Sequence, residues 1–135
     1  MRTSQTKTTA VDLTPETLSE TMKRSGIVLI DFWASWCGPC VAFAPIFSAA
    51  AEKHRDIVFA KVDTEKEPAL ARAFGIRAIP TLGVFRDGVL LALQPGALPR
   101  AALDELVARV RALDMNEVKR SVANGDAAKT NKESA

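Results

Sequence analysis

The two cysteines of this 135-residue chain, Cys37 and Cys40, are separated by only two residues and follow an apolar run, in the segment DFWASWCGPC at positions 31–40. Where such a pair joins a buried strand to a helix, the first sulfur lies at the helix N-terminus, and the free backbone N–H groups and the helix dipole favour a thiolate there. Cys37 is therefore the candidate nucleophile and Cys40 its resolving partner. The predicted chemistry is exchange between a dithiol and a disulfide.

Two other uses of a Cys-x-x-Cys pair are less favoured. A zinc site normally needs four ligands, and the chain adds only His54 to the two cysteines. A structural disulfide across two intervening residues closes too small a loop to restrict the unfolded chain much. We therefore expect no metal at this site, and we expect the pair to switch between its reduced and oxidised forms.

The residues on either side of the cysteines predict the elements that position them. Residues 27–33 are nearly continuously apolar, with several β-branched or aromatic side chains, which is typical of a strand buried on both faces. After Cys37, apolar residues recur at helical spacing, and Pro45 is expected to kink that helix. The sequence thus predicts a central strand leading into a helix that begins at the cysteines.

The remaining predicted elements are bounded by Pro, Gly or Asp residues, which favour helix ends and turns. They are a helix between residues 14 and 26, a strand at 57–62, a helix at 68–74, two strands at 81–85 and 89–93 joined by an Asp-Gly turn, and a closing helix between 100 and 113. The strand at 57–62 is expected to run parallel to the first. The sheet is therefore predicted to be mixed, with a hairpin after the parallel crossovers.

Length and charge indicate one domain with no charged partner surface. The chain has 18 basic and 16 acidic residues, a formal net charge of +2, and this balance argues against nucleic acid or a membrane as a partner. We expect a flexible tail at 1–8, a domain at 9–113, and an extension at 114–135 that forms a short helix and is then disordered. The polar N-terminus carries no secretory signal pattern, so we expect a cytoplasmic protein. We also expect the protein to act as a monomer.

Two further motifs, Ile79-Pro80-Thr81 and Gly96-Ala97, follow the cysteine segment in order and with compatible spacing. With them, the sequence resembles the thioredoxin family over residues 11–113. The resemblance implies an α/β thioredoxin fold, with a central mixed five-stranded sheet flanked by four helices. It also implies reduction of disulfide-containing protein substrates without a bound cofactor. Electrons would come from NADPH through a flavin-dependent thioredoxin reductase.

The resemblance also assigns roles by position. Cys37 and Cys40 match the nucleophile and the resolving cysteine, Asp31 and Lys61 the buried acid and its partner lysine, and Pro80 the cis-proline opposite the disulfide. The residues themselves point the same way for Asp31, because a carboxylate in an apolar strand must stay protonated or find a cation. We expect Asp31 to help deprotonate Cys40, the alternative being a purely structural aspartate. Lys61 either approaches Asp31 across the strands or lies at an exposed edge.

A substrate-binding surface is expected around the cysteines. Trp36 is predicted to be an exposed apolar platform, whereas Trp33 is expected in the core. The other predicted binding residues are small, cyclic or able to expose backbone: Gly38, Pro39, Ile79, Pro80, Gly96 and Ala97.

Two positions depart from common members of the family that the chain resembles. Val41 stands where a lysine often follows the second cysteine, and Pro95 stands where an aliphatic residue is usual. Both changes are expected to affect target choice or docking of the reductase more than the exchange reaction. Two alternatives therefore stay open. One is a disulfide oxidase or isomerase of the same fold, and the other is a binding or assembly module that needs no redox turnover.

Overall fold

The computed structural model describes residues 10–23 and 26–124. Its elements in chain order are β1 (Val11–Asp12), α1 (Pro15–Lys23), β2 (Ile27–Trp33), α2 (Gly38–Lys53), β3 (Val58–Asp63), α3 (Pro68–Ala73), β4 (Thr81–Arg86), β5 (Val89–Pro95), α4 (Arg100–Arg111) and α5 (Met115–Ala123). Three helices, α1, α2 and α3, have a proline in their first turn, a position where the missing N–H costs nothing.

The five strands form one mixed sheet in the order β1-β3-β2-β4-β5. β1 and β2 both run parallel to β3, whereas β4 runs antiparallel to β2 and to β5. β2 is therefore the central strand, as its apolar sequence predicted. The five-stranded thioredoxin fold implied by the family resemblance is confirmed.

Helices cover both faces of the sheet. Leu29 of β2 and Phe59 of β3 point to one face, where they pack in a cluster with residues of α2 and α4. Ile30 and Val62 point to the other face, which α1 and α3 cover. Because side chains alternate along a strand, Asp31 shares the face of Leu29, which is the face that α2 covers.

Most predicted boundaries agree with the structure to within one or two residues. β2 has the predicted bounds, and β3 begins and ends one residue later than predicted. The hairpin turn lies where the Asp-Gly pair predicted it, with positive φ of 53° at Asp87 and 80° at Gly88. The two-residue strand β1 was not located from the residues.

The C-terminal helix α5 begins after Asp114, whose carboxylate accepts hydrogen bonds from the backbone N–H groups of Asn116 and Glu117 at 3.0 and 3.3 Å. Lys119 of this helix lies 3.9 Å from Asp87 in the β4–β5 turn. The predicted tail at 1–8 falls outside the described residues. Of the stretch at 123–135 predicted to be disordered, Ala123 is the last residue of α5, and residues beyond 124 fall outside the described ones. Within the described ranges, none of the helices is both long and apolar enough to cross a membrane.

Candidate active site

The cysteine pair lies at the junction of β2 and α2. Cys37 is the N-cap residue of α2, and its sulfur accepts a hydrogen bond from the backbone N–H of Cys40 at 3.2 Å. The two cysteines form a disulfide, with their Cα atoms 5.2 Å apart. Cys37 is 5% exposed and Cys40 only 1%. After reduction, the same N–H and the helix dipole would favour negative charge on Cys37.

The loop before β4 lies against Cys37. The Ile79–Pro80 peptide bond is cis, and the Ile79 carbonyl oxygen lies 3.7 Å from the Cys37 sulfur. Ile79 also packs against the small cluster of buried residues that contains both cysteines and Ala34. The motif Ile79-Pro80 and the cysteine motif are therefore brought together, although Cys37 and Ile79 lie 42 positions apart in the sequence.

The Gly96-Ala97 motif reaches the site through the backbone. The N–H of Gly96 donates a hydrogen bond to the carbonyl of Pro80 at 2.8 Å, and Pro95 pairs with Thr81 at the end of the β4–β5 ladder. Gly96 has φ of +93°, a conformation that residues with a Cβ rarely adopt. Both Gly96 and Ala97 are exposed, so this loop forms a rim beside Pro80.

Trp36 is the most exposed large apolar residue among those described, at 69%. Its indole N–H donates to the Glu65 carboxylate at 3.1 Å, which fixes the ring against the loop after β3. The ring borders a cleft of about 220 Å³, whose other lining residues are Thr64, Ala71, Ile76, Arg77, Ala78 and Ile79. Gly38 and Pro39 are exposed in the first turn of α2. Most residues that line the cleft are apolar, and Thr64 and Arg77 are the polar ones.

Asp31 is fully buried, with 0% exposure. Neither carboxylate oxygen has a hydrogen-bond partner among the described residues. Burial raises the pKa of Asp31 from 3.8 to about 6, and the positive charge of Lys61 opposes that rise. A carboxyl group with this pKa can both hold and release a proton near neutral pH.

Lys61 pairs with Asp31 in the register of β2 and β3, so their side chains project to the same face. The side chain is half-buried, and its ammonium lies 4.6 Å from the centre of the Trp33 ring. The two residues are therefore neighbours across the strands, and the ammonium interacts with Asp31 through its charge. Trp33 is partly buried beside the cysteine cluster, and its contact with Lys61 was not predicted.

The two positions that depart from the family pattern lie near the disulfide. Val41, directly after Cys40, is 56% exposed in the first turn of α2. Pro95 is exposed at the end of β5. Both side chains are accessible to a docking protein.

Sequence reasoning did not predict the cleft beside Trp36. Its walls come from the loop after β3, from α3 and from the segment before Ile79. Alanine, threonine and isoleucine carry no distinctive chemistry, so nothing in their types marks them as the walls of a cleft. Arg77 is the charged residue of this lining. Because it precedes Pro80 by only three residues, its place near the site could have been predicted from the sequence.

Comparisons with known proteins agree with this geometry. The thioredoxin family profile matches residues 9–109. Putative thioredoxin 2 of Streptomyces coelicolor is 52% identical over 120 residues, covering 89% of this chain and 90% of that protein. Thioredoxin 1 of Synechococcus elongatus is 42% identical over 96 residues, covering 70% and 90%. A mutant thioredoxin from Halobacterium salinarum superposes with a TM-score of 0.73 and 32% identity, over 83% of this chain and 99% of that structure.

The fold and the disulfide at the start of α2 define a thiol-disulfide oxidoreductase. The chain belongs to the thioredoxin family, and its activity is that of a protein-disulfide reductase. Thioredoxins in general need no bound cofactor. Residues 10–23 and 26–124 contain no group of three or more potential metal ligands.

Proposed function

We propose that Cys37 attacks the substrate and that Cys40 resolves the intermediate. The observation that carries this assignment is the hydrogen bond from the Cys40 N–H to the Cys37 sulfur at the start of α2, because it stabilises charge on Cys37. The Cys37 thiolate attacks one sulfur of a substrate disulfide, which forms a mixed disulfide and releases a substrate thiolate. The Cys40 thiolate then attacks the Cys37 sulfur and expels the second substrate thiolate. Two electrons pass to the substrate, and the Cys37–Cys40 disulfide is left.

Asp31 is proposed as the group that takes the proton of Cys40, directly or through a water. Both residues are buried, and Asp31 lies on the sheet face that α2 covers. A thiol in such surroundings needs an acceptor before it can attack, and a carboxylate with pKa about 6 is mostly ionised at pH 7. Lys61 stabilises that ionised form through its charge.

The substrate is proposed to bind as an extended segment across the disulfide. The exposed faces of Trp36, Gly38 and Pro39 lie on the helix side, and the rim of Gly96 and Ala97 lies on the side of Pro80. Between them, the backbone at Ile79 is available to pair with a peptide. The apolar character of this surface suits unfolded or loop segments around a substrate cysteine.

The electron donor is proposed to be a flavin-dependent thioredoxin reductase that uses NADPH. Family membership supports this donor and, with it, action of the protein as a monomer in the cytoplasm. The donor would return two electrons to the Cys37–Cys40 disulfide after each substrate. Exposed Val41 and Pro95 lie where this reductase would dock.

The test is NADPH oxidation in the presence of thioredoxin reductase and insulin. We expect turnover with the wild-type protein, none with Cys37→Ser, and a trapped mixed disulfide with Cys40→Ser. Turnover driven only by dithiothreitol would retain the exchange chemistry and exclude the proposed donor. Turnover by Cys37→Ser would contradict the assignment of the nucleophile.

A further inference from the structure

Lys61 lies between two carboxylates. In the sheet register, Lys61 on β3 pairs with Asp31 on β2 and with Asp12 on β1. Residues paired across parallel strands project to the same face, so the lysine has an acidic neighbour on each side. Asp31 is buried, whereas Asp12 is exposed on the edge strand. The Lys61 ammonium can therefore interact either with the buried carboxylate of Asp31 or with the exposed carboxylate of Asp12.

Trp33 lies on the Asp31 side of Lys61, not on the Asp12 side. It follows Asp31 by two residues on β2 and so projects to the same face. The Lys61 ammonium lies 4.6 Å from the centre of its ring, well within the range of a cation–π contact, for which tryptophan is the strongest aromatic partner. The ring thus attracts the ammonium toward β2, away from Asp12 and from solvent.

No other charged group of the described residues competes at Asp31. Lys61 is the single charge that shifts its pKa, and burial is the opposing cause. β4 presents the apolar Leu82 opposite Asp31. Cys40 belongs to α2, which covers this face of the sheet, and it does not titrate in the disulfide. Asp63, two residues after Lys61, accepts hydrogen bonds from the backbone of the following loop.

We propose that Trp33 is a positioning residue: its ring holds the Lys61 ammonium beside Asp31 rather than at the exposed edge with Asp12, and thereby governs proton transfer from Cys40 to Asp31. The transfer converts the Cys40 thiol and the Asp31 carboxylate into a thiolate and a carboxylic acid. A nearby ammonium stabilises the carboxylate before that step. The link to Cys40 rests on the proposed role of Asp31, whereas the positioning of Lys61 does not.

The first test measures the pKa of the Asp31 carboxyl group by carbon NMR titration. The oxidised full-length protein is used, because disulfide-bonded cysteines do not titrate. The variants are Trp33→Leu, Lys61→Met and the double variant. We expect Trp33→Leu to raise the pKa of Asp31 by about 0.5, the size of a partly exposed cation–π contact. Lys61→Met should raise it further, and Trp33→Leu should then add nothing. An equal effect of Trp33→Leu in both backgrounds would overturn the proposal, since Trp33 would then act only by changing the hydration of Asp31.

Two further variants complete this test: one keeps an aromatic ring at position 33, and the other removes the carboxylate of Asp12. Trp33→Phe keeps a ring of similar shape with a weaker attraction for cations, so it should raise the pKa of Asp31 less than Trp33→Leu does. If Trp33→Leu fails to fold, the same cycle is carried out with Trp33→Phe. Asp12→Asn should lower the raised pKa of the Trp33 variant by removing the alternative partner of Lys61. No response to Asp12→Asn would contradict the movement of the ammonium.

The kinetic test separates this proposal from the proposed function. The pH dependence of resolution by Cys40 should shift with the pKa of Asp31 in each variant. If the pKa shifts as expected and the kinetic profile does not follow, the positioning of Lys61 stands and the role of Asp31 as base is wrong. If the pKa of Asp31 does not respond to Trp33 at all, the positioning proposal itself is wrong.

Discussion

The Arg86 guanidinium donates a hydrogen bond to the backbone carbonyl of Val110 at 2.7 Å. The same nitrogen lies 3.2 Å from the carbonyls of Arg111 and Leu113. Carbonyls at the end of a helix have no partners within the helix, and a positive charge there complements the helix dipole. Because Arg86 is the last residue of β4, one side chain joins the central sheet to the end of α4.

Replacing Arg86 should therefore lower stability without changing the chemistry. Arg86→Met keeps much of the apolar stem and removes the hydrogen bonds, and we expect a loss of about 1–3 kcal/mol in the free energy of unfolding. Urea denaturation of the oxidised protein measures the change. Arg100→Met, at the exposed start of α4, is the matched control and should change stability by about 0.5 kcal/mol or less. Equal losses in the two variants would contradict the role of Arg86.

Asp31 should make the protein less stable as the pH rises. Its pKa is about 6 in the folded protein and 3.8 in its ordinary state, so between these values the unfolded chain releases a proton that the folded protein retains. The contribution of Asp31 to the free energy of unfolding is fully present below pH 3.8 and is lost as the pH rises through about 6. The total loss is about 3 kcal/mol. Asp31→Asn should remove this dependence and be more stable than the wild type at pH 8. Denaturation curves at several pH values test this, and an unchanged pH dependence would show that another group is responsible.

Gly83 lies where a side chain on β4 would be tightly packed against two aromatic rings. A Cβ at this position would lie 3.1 Å from a ring carbon of Phe85 and 3.2 Å from one of Phe32, both buried. Gly83→Ala should therefore destabilise the protein by about 1–3 kcal/mol. Gly38→Ala is the control, because a Cβ there meets no atom within 4 Å and alanine favours the helix. In thermal unfolding of the oxidised proteins, we expect the Tm of Gly83→Ala to be lower than that of the wild type. The Tm of Gly38→Ala should equal that of the wild type or exceed it.

Trp36 should matter for substrate binding and little for stability. Its side chain is mostly exposed and is held by one hydrogen bond to Glu65. We expect Trp36→Ala to raise the KM for insulin several-fold while changing the free energy of unfolding by about 0.5 kcal/mol or less. Glu65→Gln keeps an acceptor for the indole and should have a smaller effect on KM. A large loss of stability in Trp36→Ala would assign the residue to the core instead.

The sequence was most informative where a pattern is local. The apolar run at 27–33 begins directly after Gly26, which delimits the start of β2. The Asp87-Gly88 pair predicts a turn because both residues accept positive φ. The cysteine pair indicated its own chemistry, because two thiols at this spacing at the start of a helix serve few other purposes.

Features that depend on distant parts of the chain were not predictable in this way. β1 has only two residues, too few for an alternating pattern, and it forms by pairing with β3. The contact of Lys61 with Trp33 depends on the register between β2 and β3, which neither strand determines alone. The cleft beside Trp36 is a shape formed by three separate segments, and most of its side chains are individually unremarkable.

The position of α5 has a practical consequence. Lys119 of this helix contacts the β4–β5 turn, which lies at the end of the sheet where β2 begins, whereas the cysteines follow the other end of β2. Seven strand residues separate the two ends by roughly 20 Å. A solid support, a fluorophore or a fusion partner attached at the end of α5 would therefore leave the surface around the cysteines accessible to large protein substrates.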